Sequence, residues 1–471
     1  MIEDRGGLRS GLRRRHVTMI SLGGVIGAGL FVGSGAVINT TGPAAVLSYL
    51  LAGLLVVLVM RMLGEMAAAN PSTGSFADYA GMSLGEWGRF LAGWLYWYFW
   101  VIVLAVEATA GATIIQGWLP GVPIWASSLV LMVLLTLTNL ASVRSYGEFE
   151  FWFASIKVAA IVAFIAIGVV YVVGLTGSGG VDQLTAHGGF TPKGLGAILS
   201  GVVTVIFAFV GAEIATIAAA ESDEPAEAVT RATNSVIVRV LTFYVLSVFL
   251  IVAILPWSST KLGQSPFAAT LDHIGIPAAA DVMNAIVLTA VLSCLNSGLY
   301  VASRMNFALA RRRDAPQWMV QLNSHGVPAR AILCATVVGF ASVIADVISP
   351  NKVFLFLLNS SGAVALFVYL LICVSQLIMR RRLEREAPER LQVRMWLYPW
   401  STVFAIVAIV VVTGAMATVK DLRSQLWLGL VSVAVVLLAY WVKARVADRS
   451  AAAARRAARR SGPRRAHPPA A

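Results

Sequence analysis

Residues 23–35 read GGVIGAGLFVGSG, and this stretch decides how the first part of the chain folds. Six of its thirteen residues are glycine, although the surrounding sequence is apolar over a length that could cross a bilayer. A glycine in a helix interior costs about 1 kcal/mol relative to alanine. The run therefore predicts that a helix formed here is interrupted near its middle.

A second apolar stretch carries a similar interruption. Residues 207–213 read FAFVGAE, so Gly211 and the carboxylate of Glu213 lie near the middle of an apolar segment. A carboxylate is costly in hydrocarbon, and one that faces other helices usually marks a functional site. We therefore predict a second broken helix at this position.

The composition of the whole chain predicts a membrane protein. Of its 471 residues, 58% are hydrophobic and 13% charged, whereas soluble domains have about 45–50% and about 25%. The mean hydropathy is +0.80. Because a bilayer provides no water for backbone groups, apolar runs that cross it must be helical. We predict an all-α polytopic protein whose twelve transmembrane helices, numbered as segments in chain order, are 17–37, 43–68, 90–115, 123–143, 150–174, 196–220, 235–255, 277–308, 328–348, 352–378, 397–418 and 424–442.

The charges predict the topology and the domain boundaries. Residues 1–16 and 443–471 carry eleven of the thirteen net positive charges. With both ends in the cytoplasm, 30 of the 36 Lys and Arg residues are cytoplasmic and five lie on the opposite side, as the positive-inside rule requires. We therefore predict a multi-pass protein of the cell membrane, with a basic cytoplasmic N-terminus (1–16), a transmembrane domain (17–444) and a basic cytoplasmic tail (445–471). The tail is expected to be disordered and either to contact anionic lipids or to have no specific partner.

The sequence also excludes several functions. Positive charge at the chain ends is a topological marker and needs no nucleic-acid partner. We expect no enzyme, metal site or cofactor, because no nucleophile–base pair and no metal-ligand spacing stands out. Gly27 and Gly29 are not a phosphate loop, because they follow no predicted strand and lack the Lys-Ser/Thr of that motif. Cys294, Cys334 and Cys373 are interpreted as packing residues.

Two interpretations of the glycine run stay open. Small residues four apart, such as Gly23 and Gly27 or Gly29 and Gly33, allow helices to pack closely. Alternatively, a discontinuous helix exposes backbone groups that bind a ligand. The second interpretation is favoured because the interruptions fall in segments 1 and 6. These segments correspond if the chain contains two inverted repeats of five helices, and their breaks would then meet near the middle of the membrane.

Two such breaks suit a zwitterionic ligand. The N–H groups of Gly27, Ala28 and Gly29 would lie at the positive end of a half-helix dipole and hold a carboxylate. Carbonyl groups freed at both breaks would hold an ammonium group, and these belong to Val25, Phe207, Ala208 and Val210. The side-chain pocket would then select the rest of the ligand.

Further motifs agree with this interpretation. They are RHVTM (15–19), GSF (74–76), WLYW (94–97), YGEFEFW (146–152), AAES (219–222), SCLNS (293–297), ASRM (302–305) and MWLYPW (395–400). In order and spacing they resemble the amino acid/polyamine/organocation superfamily, specifically its bacterial amino acid permease branch, and they are most similar to the γ-aminobutyrate permeases. The resemblance extends from about residue 13 to residue 441.

The resemblance implies a leucine-transporter-type fold, with a 5+5 inverted repeat, broken helices 1 and 6 and two additional helices. It also implies amino acid uptake coupled to protons. By resemblance, Gly27, Ala28 and Gly29 form the carboxylate site, although Ala28 replaces a frequent serine and removes one hydroxyl donor. Phe207 matches an aromatic residue that closes over the substrate, and Lys157 matches a lysine associated with proton coupling.

Charged residues within apolar segments are independent candidates. A buried charged lysine is costly, so Lys157 is expected to gain and lose a proton; alternatively it snorkels to the membrane boundary or supports the first break. Glu107 and Glu213 are expected to pair with Lys157, contact the substrate ammonium or carry a proton, and the alternative is a strut between helices. Acids near cytoplasmic segment ends could form gate ion pairs with Arg61, Arg144 or Arg239; these are Glu65, Glu148, Glu150 and Glu221.

The substrate follows from the resemblance alone. It favours γ-aminobutyrate, taken up by proton symport with alternating access. The same branch includes permeases for proline and for small neutral or aromatic amino acids, and an amino acid exchanger is the alternative mechanism. The expected partners are thus a small amino acid, protons and the lipid bilayer.

Overall fold

The architecture was obtained as a computed structural model. It describes residues 26–70, 75–141, 143–174, 180–213, 225–259, 265–276, 278–323, 326–348 and 350–460. Within these ranges the chain forms helices and no strand. The predicted all-α class is therefore confirmed.

The helices follow one another with short connections. The first group comprises α1 (Ala28–Phe31), α2 (Gly33–Thr41), α3 (Ala45–Ala69), α4 (Ser75–Leu84), α5 (Glu86–Trp118), α6 (Ile124–Ala141), α7 (Val143–Val172), α8 (Gln183–Ala186) and α9 (Leu195–Phe209). The second comprises α10 (Pro225–Arg239), α11 (Ser247–Ile254), α12 (Pro266–Ile274), α13 (Ala279–Arg311), α14 (Ala329–Asp346), α15 (Pro350–Glu386), α16 (Trp400–Thr418) and α17 (Lys420–Arg460). A π-helical stretch, Val240–Leu246, joins α10 to α11.

The helices have the length and polarity of a multi-pass membrane protein. In the described part of the chain, eight helical stretches are long and apolar enough to cross a membrane. Three shorter apolar helices are Ile124–Leu140, Leu195–Phe209 and Ala329–Ala345. The first long stretch, Ala28–Ala69, covers parts of two predicted segments because a 3₁₀ turn at Gly42–Ala44 joins α2 to α3. The number of crossings and the repeat symmetry stay predictions.

Helix α5 lies at the centre of the bundle. It packs against α4, α6, α13, α14, α15 and α17. Its residues from Phe99 to Ala112 are buried, and Glu107 is among them. In contrast, α16 and α17 expose large apolar side chains such as Phe404, Trp427 and Leu438. Such surfaces suit contact with lipid, so these two helices lie at the periphery and α5 positions the interior.

Both predicted interruptions lie at helix ends. Helix α1 begins at Ala28, and Gly27 before it has an extended backbone. Helix α9 ends at Phe209; Val210 is extended, and Gly211 has a φ of +103°. This conformation strongly favours glycine, because a side chain there is strained.

The tail differs from the expectation of disorder. Helix α17 continues to Arg460, so residues 445–460 are helical. Residues 450–460 read SAAAARRAARR, and alanine and arginine are among the strongest helix formers. Local helix propensity accounts for the helix up to Arg460, and residues 461–471 lie outside the described part of the chain, where the predicted disorder stays a prediction.

Candidate functional site

The helix ends at the two predicted interruptions are in direct contact. A Cβ atom added to Gly29 would lie 2.7 Å from Cα of Ala208 and 2.9 Å from Cδ1 of Phe207. Distances this short are not tolerated between real side chains and backbone. Glycine at position 29 therefore lets the start of α1 approach the last turn of α9. The contact agrees with the close-packing interpretation of the glycine run, and the ligand-binding interpretation stays a prediction.

A buried carboxylate from α5 binds the first interruption. The amide N–H of Ala28 donates to both carboxylate oxygens of Glu107, with N···O distances of 3.1 Å and 3.0 Å. Only 1% of Glu107 is exposed. A Cβ atom at Gly27 would lie 2.5 Å from Oε1 of Glu107 and 2.7 Å from Cβ of Cys294. The sequence predicts that the Ala28 N–H group binds a substrate carboxylate. In the structure this N–H group is hydrogen-bonded to the carboxylate of Glu107.

A small cavity lies where these elements meet. Its volume is about 10 Å³, which is roughly the space for one water molecule. An amino acid is several times larger, so the surrounding side chains must move before one can enter. The cavity is lined by Gly29, Phe99, Trp100, Val103, Glu107, Phe207, Ala208, Val210 and Cys294.

The cavity brings together five of the predicted site residues. These are Gly29, Glu107, Phe207, Ala208 and Val210. The ring centroid of Phe207 lies 6.3 Å from that of Phe99, and Phe207 is buried. The carbonyl oxygen of Phe207 accepts a long hydrogen bond of 3.4 Å from Val210 N–H. Val25 lies outside the described residues.

Lys157 belongs to a separate buried cluster. Its Nζ donates to Oγ of Ser293 at 2.8 Å and lies 3.8 Å from Oε1 of Glu150. The Ser293 hydroxyl donates in turn to the same oxygen of Glu150 at 2.6 Å. Both charged side chains are fully buried. The Lys157 side chain therefore does not reach the surface of the described structure. Because Ser293 precedes Cys294 on α13, this helix contacts both clusters.

Glu213 lies on the other side of Phe99 and Val210. Its carboxylate accepts hydrogen bonds from the Tyr96 hydroxyl at 2.9 Å and from Gly211 N–H at 3.0 and 2.9 Å. A second cavity, also of about 10 Å³, has Phe99 and Val210 in common with the first. It is lined by Phe76, Tyr96, Phe99, Val210, Glu213, Ala365, Val368, Tyr369 and Ile372.

The candidate gate acids have partners that the sequence did not indicate. Glu65 pairs with Arg380 and accepts a hydrogen bond of 2.7 Å from Gln376, which ties α3 to α15. Arg61 donates instead to the backbone carbonyl of residue 394 at 3.0 Å. Glu150 binds Ser293 and Lys157, as described above. The side chains of Glu148 and Arg144, and Glu221 altogether, lie outside the described part of the chain.

Several site residues were not predicted from the sequence. Cys294 was interpreted as a packing residue, and Tyr96 and Ser293 were noted only as members of the WLYW and SCLNS motifs. A signal existed for two of them, because Ser293 and Cys294 open the SCLNS motif within an apolar segment. For Tyr96, the aromatic cluster WLYW gave no indication of which ring faces the bundle.

With this geometry established, comparison with known proteins identifies the family. The model of the amino acid permease family matches residues 16–451. The chain belongs to the amino acid permease family. Membership makes this permease a transport protein and not an enzyme, in agreement with the sequence analysis. The resemblance to that family is confirmed.

Curated relatives cover almost the whole permease. A γ-aminobutyric acid permease of Bacillus subtilis is 52% identical over 96% of this chain and 97% of its own length. A γ-aminobutyric acid permease of Escherichia coli is 51% identical over 84% of this chain and 85% of its own. An aromatic amino acid transport protein of Corynebacterium glutamicum is 42% identical over 93% and 94%.

A distant solved structure supports the fold. A mutant of the Eremococcus coleocola manganese transporter matches this permease with a TM-score of 0.56 at 13% identity. The match covers 90% of this chain and 92% of that chain. At this identity the similarity concerns the fold alone.

Proposed function

We propose that this permease carries γ-aminobutyrate into the cell by proton symport with alternating access. The observation that carries the proposal is the contact between the interruptions at Gly29 and Ala208, beside Phe207 and the buried Glu107. A backbone site of this kind suits a small zwitterion. The two γ-aminobutyric acid permeases that are 51–52% identical favour this substrate.

In the proposed binding mode, the substrate carboxylate accepts hydrogen bonds from the N–H groups of Gly27, Ala28 and Gly29. The substrate ammonium group donates hydrogen bonds to the carbonyl groups of Ala208 and Val210, and those of Val25 and Phe207 are further acceptors. The aromatic ring of Phe207 closes the site. Because the cavity in the described conformation holds about one water, Phe207 and neighbouring rings must move when substrate enters.

Proton coupling is assigned to Lys157 and Glu107. Lys157 is buried beside Glu150, where its charged form depends on that partner. Glu107 is buried against the backbone that would hold the substrate. Glu213, held by Tyr96, acts as an intramembrane acid at a gate on the far side of Phe99 and Val210.

The proposed setting is a cell membrane crossed twelve times, with segments 1–5 and 6–10 as inverted repeats. Both termini are cytoplasmic, in accordance with the positive-inside rule. The N-terminus (1–16) and the tail (445–471) flank the transmembrane domain (17–444). The Arg-rich end of α17 would contact anionic lipids.

Uptake of radiolabelled γ-aminobutyrate into liposomes containing the purified permease tests the proposal. We expect saturable uptake that requires an inward proton gradient, and competition by unlabelled γ-aminobutyrate. Twenty protein amino acids, added singly in excess, are the comparison set. If the liposomes take up proline or an aromatic amino acid but no γ-aminobutyrate, the proposed substrate is wrong. If uptake requires an amino acid inside the liposomes and does not require a proton gradient, the mechanism is exchange and not symport.

A further inference from the structure

The carboxylate of Glu107 occupies the position expected of a substrate carboxylate. Both of its oxygens accept the single N–H group of Ala28, at 3.1 and 3.0 Å. Gly27 leaves room for it, since a Cβ atom there would lie 2.5 Å from Oε1. One N–H group cannot serve two carboxylates, and the adjoining cavity of about 10 Å³ has no room for a second one.

We propose that Glu107 and the substrate carboxylate compete for the Ala28 N–H group, so that protonation of Glu107 admits the substrate. This inference rests on the proposed function. In the unloaded protein, ionised Glu107 holds the N–H group. When Glu107 takes a proton from solution, it becomes a neutral and much weaker acceptor. The incoming carboxylate then takes the N–H group, and the number of negative charges at the site is unchanged.

Electrostatics favours this exchange over simultaneous binding of two ionised groups. Two carboxylates close together in a buried site repel each other strongly, and one of them is driven to bind a proton. Glu107 is 1% exposed, and the cavity beside it is lined mainly by apolar groups. Substrate and proton therefore bind together, which is the requirement for symport.

The other titratable groups near Glu107 come from three different elements. Cys294 on α13 lines the same cavity. Lys157 on α7 and Tyr244 on the π-helical stretch interact with Glu107 electrostatically at longer range. Lys157 is bonded to Ser293 and lies beside Glu150, so its charge has a local partner. Among the described residues Glu107 is the titratable group that contacts the Ala28 N–H group, so its carboxylate is the one that the substrate carboxylate displaces.

The proposal predicts a difference between ligands with and without a carboxylate. The probes are γ-aminobutyrate and its amide, γ-aminobutyramide, which keeps the ammonium group and has no anionic end. For the wild-type permease, the apparent Kd of γ-aminobutyrate should rise about tenfold per pH unit above the titration of Glu107, as linkage to one proton requires. The Kd of the amide should not follow this dependence.

A charge-removing variant isolates Glu107. In Glu107→Gln, the Kd of γ-aminobutyrate should become independent of pH and should resemble the low-pH value of the wild type. Glu227→Gln, an exposed acid of α10, is the control and should keep the wild-type dependence. If Glu107→Gln binds γ-aminobutyrate with an unchanged pH dependence, Glu107 does not compete and the proposal is overturned.

A measurement on the wild type alone covers the case in which Glu107→Gln does not fold. In weakly buffered detergent solution with a pH indicator, and at a pH at which the Kd of γ-aminobutyrate rises about tenfold per unit, its binding should take up about one proton per molecule bound. Binding of γ-aminobutyramide should take up none. Equal proton uptake with both ligands, or none with γ-aminobutyrate, would contradict the competition. Failure of the proposed function looks different, since no γ-aminobutyrate would then bind at any pH.

Discussion

Nζ of Lys157 lies 3.8 Å from Oε1 of Glu150, and neither side chain is exposed. Ser293 of α13 lies between them, accepting a hydrogen bond from Lys157 and donating one to Glu150. Within a bilayer neither charge can be solvated by lipid. The cluster therefore connects α7 to α13 and holds the lysine to which we assign proton coupling in a fixed place.

Removing one charge of this pair should destabilise the permease. We expect Lys157→Gln to lower the free energy of unfolding by about 3 kcal/mol, because Glu150 is left buried without its cation. The double variant Lys157→Gln/Glu150→Gln should recover most of this loss. Thermal unfolding of purified protein in detergent measures both, with Lys352→Gln, an exposed lysine of α15, as control. A double variant less stable than Lys157→Gln would rule out the pairing.

The bridging hydroxyl can be removed separately. Ser293→Ala should cost about 1–3 kcal/mol of stability, because two buried hydrogen bonds lose their shared partner. It should also slow uptake driven by a proton gradient, while counterflow of substrate without a gradient is less affected. Ser303→Ala is the matched control on the same helix, since the Ser303 hydroxyl donates to the nearby carbonyl of Tyr300 on that helix. If the two substitutions have equal effects on stability and uptake, the bridge from Ser293 to Lys157 and Glu150 contributes nothing specific.

A helix end at each predicted interruption could be anticipated because the sequence signals are local. Glycine content marks a weak helix wherever the glycines lie, and the run at residues 23–35 needs no tertiary information. Gly211 could be identified in the same way, and its φ of +103° is a conformation that glycine adopts readily. Apolar length likewise indicates helices in a membrane without knowledge of their neighbours.

The partners of the buried charges were not predictable, because they are separated along the chain. Ala28 and Glu107 are 79 residues apart, and Ser293 and Glu150 are 143 apart. Which donor meets which carboxylate depends on how α5, α7 and α13 rotate and cross, and the hydropathy pattern does not fix this. For the same reason the candidate cations for Glu65 were Arg61, Arg144 and Arg239, whereas the structure pairs it with Arg380 of α15.

Closing the gap at Gly29 should abolish function. In Gly29→Ala, the new methyl group would lie 2.7 Å from Cα of Ala208, so α1 and α9 must separate. We expect loss of γ-aminobutyrate uptake and a lower unfolding temperature. Gly414→Ala is the control, because no atom of the described residues lies within 4 Å of a Cβ there and alanine favours the helix by about 1 kcal/mol. Full uptake by Gly29→Ala would exclude a tight contact between the interruptions.

Two tyrosines near Glu213 should respond differently to loss of the hydroxyl group. The Tyr96 hydroxyl donates to Glu213 at 2.9 Å, whereas the buried Tyr369 hydroxyl has no hydrogen-bond partner among the described residues. Tyr96→Phe should therefore cost about 1–3 kcal/mol, and Tyr369→Phe should leave stability unchanged or raise it.

Uptake assays of the same two variants separate packing from transport. If the Tyr369 hydroxyl meets Glu213 or the substrate in another conformation, Tyr369→Phe lowers the uptake rate with no loss of stability. An unpartnered buried hydroxyl is costly to keep, and a role during transport would account for that cost. If Tyr369→Phe transports at the wild-type rate, the Tyr369 hydroxyl has no role in transport, and the functional partners of Glu213 are Tyr96 and Gly211.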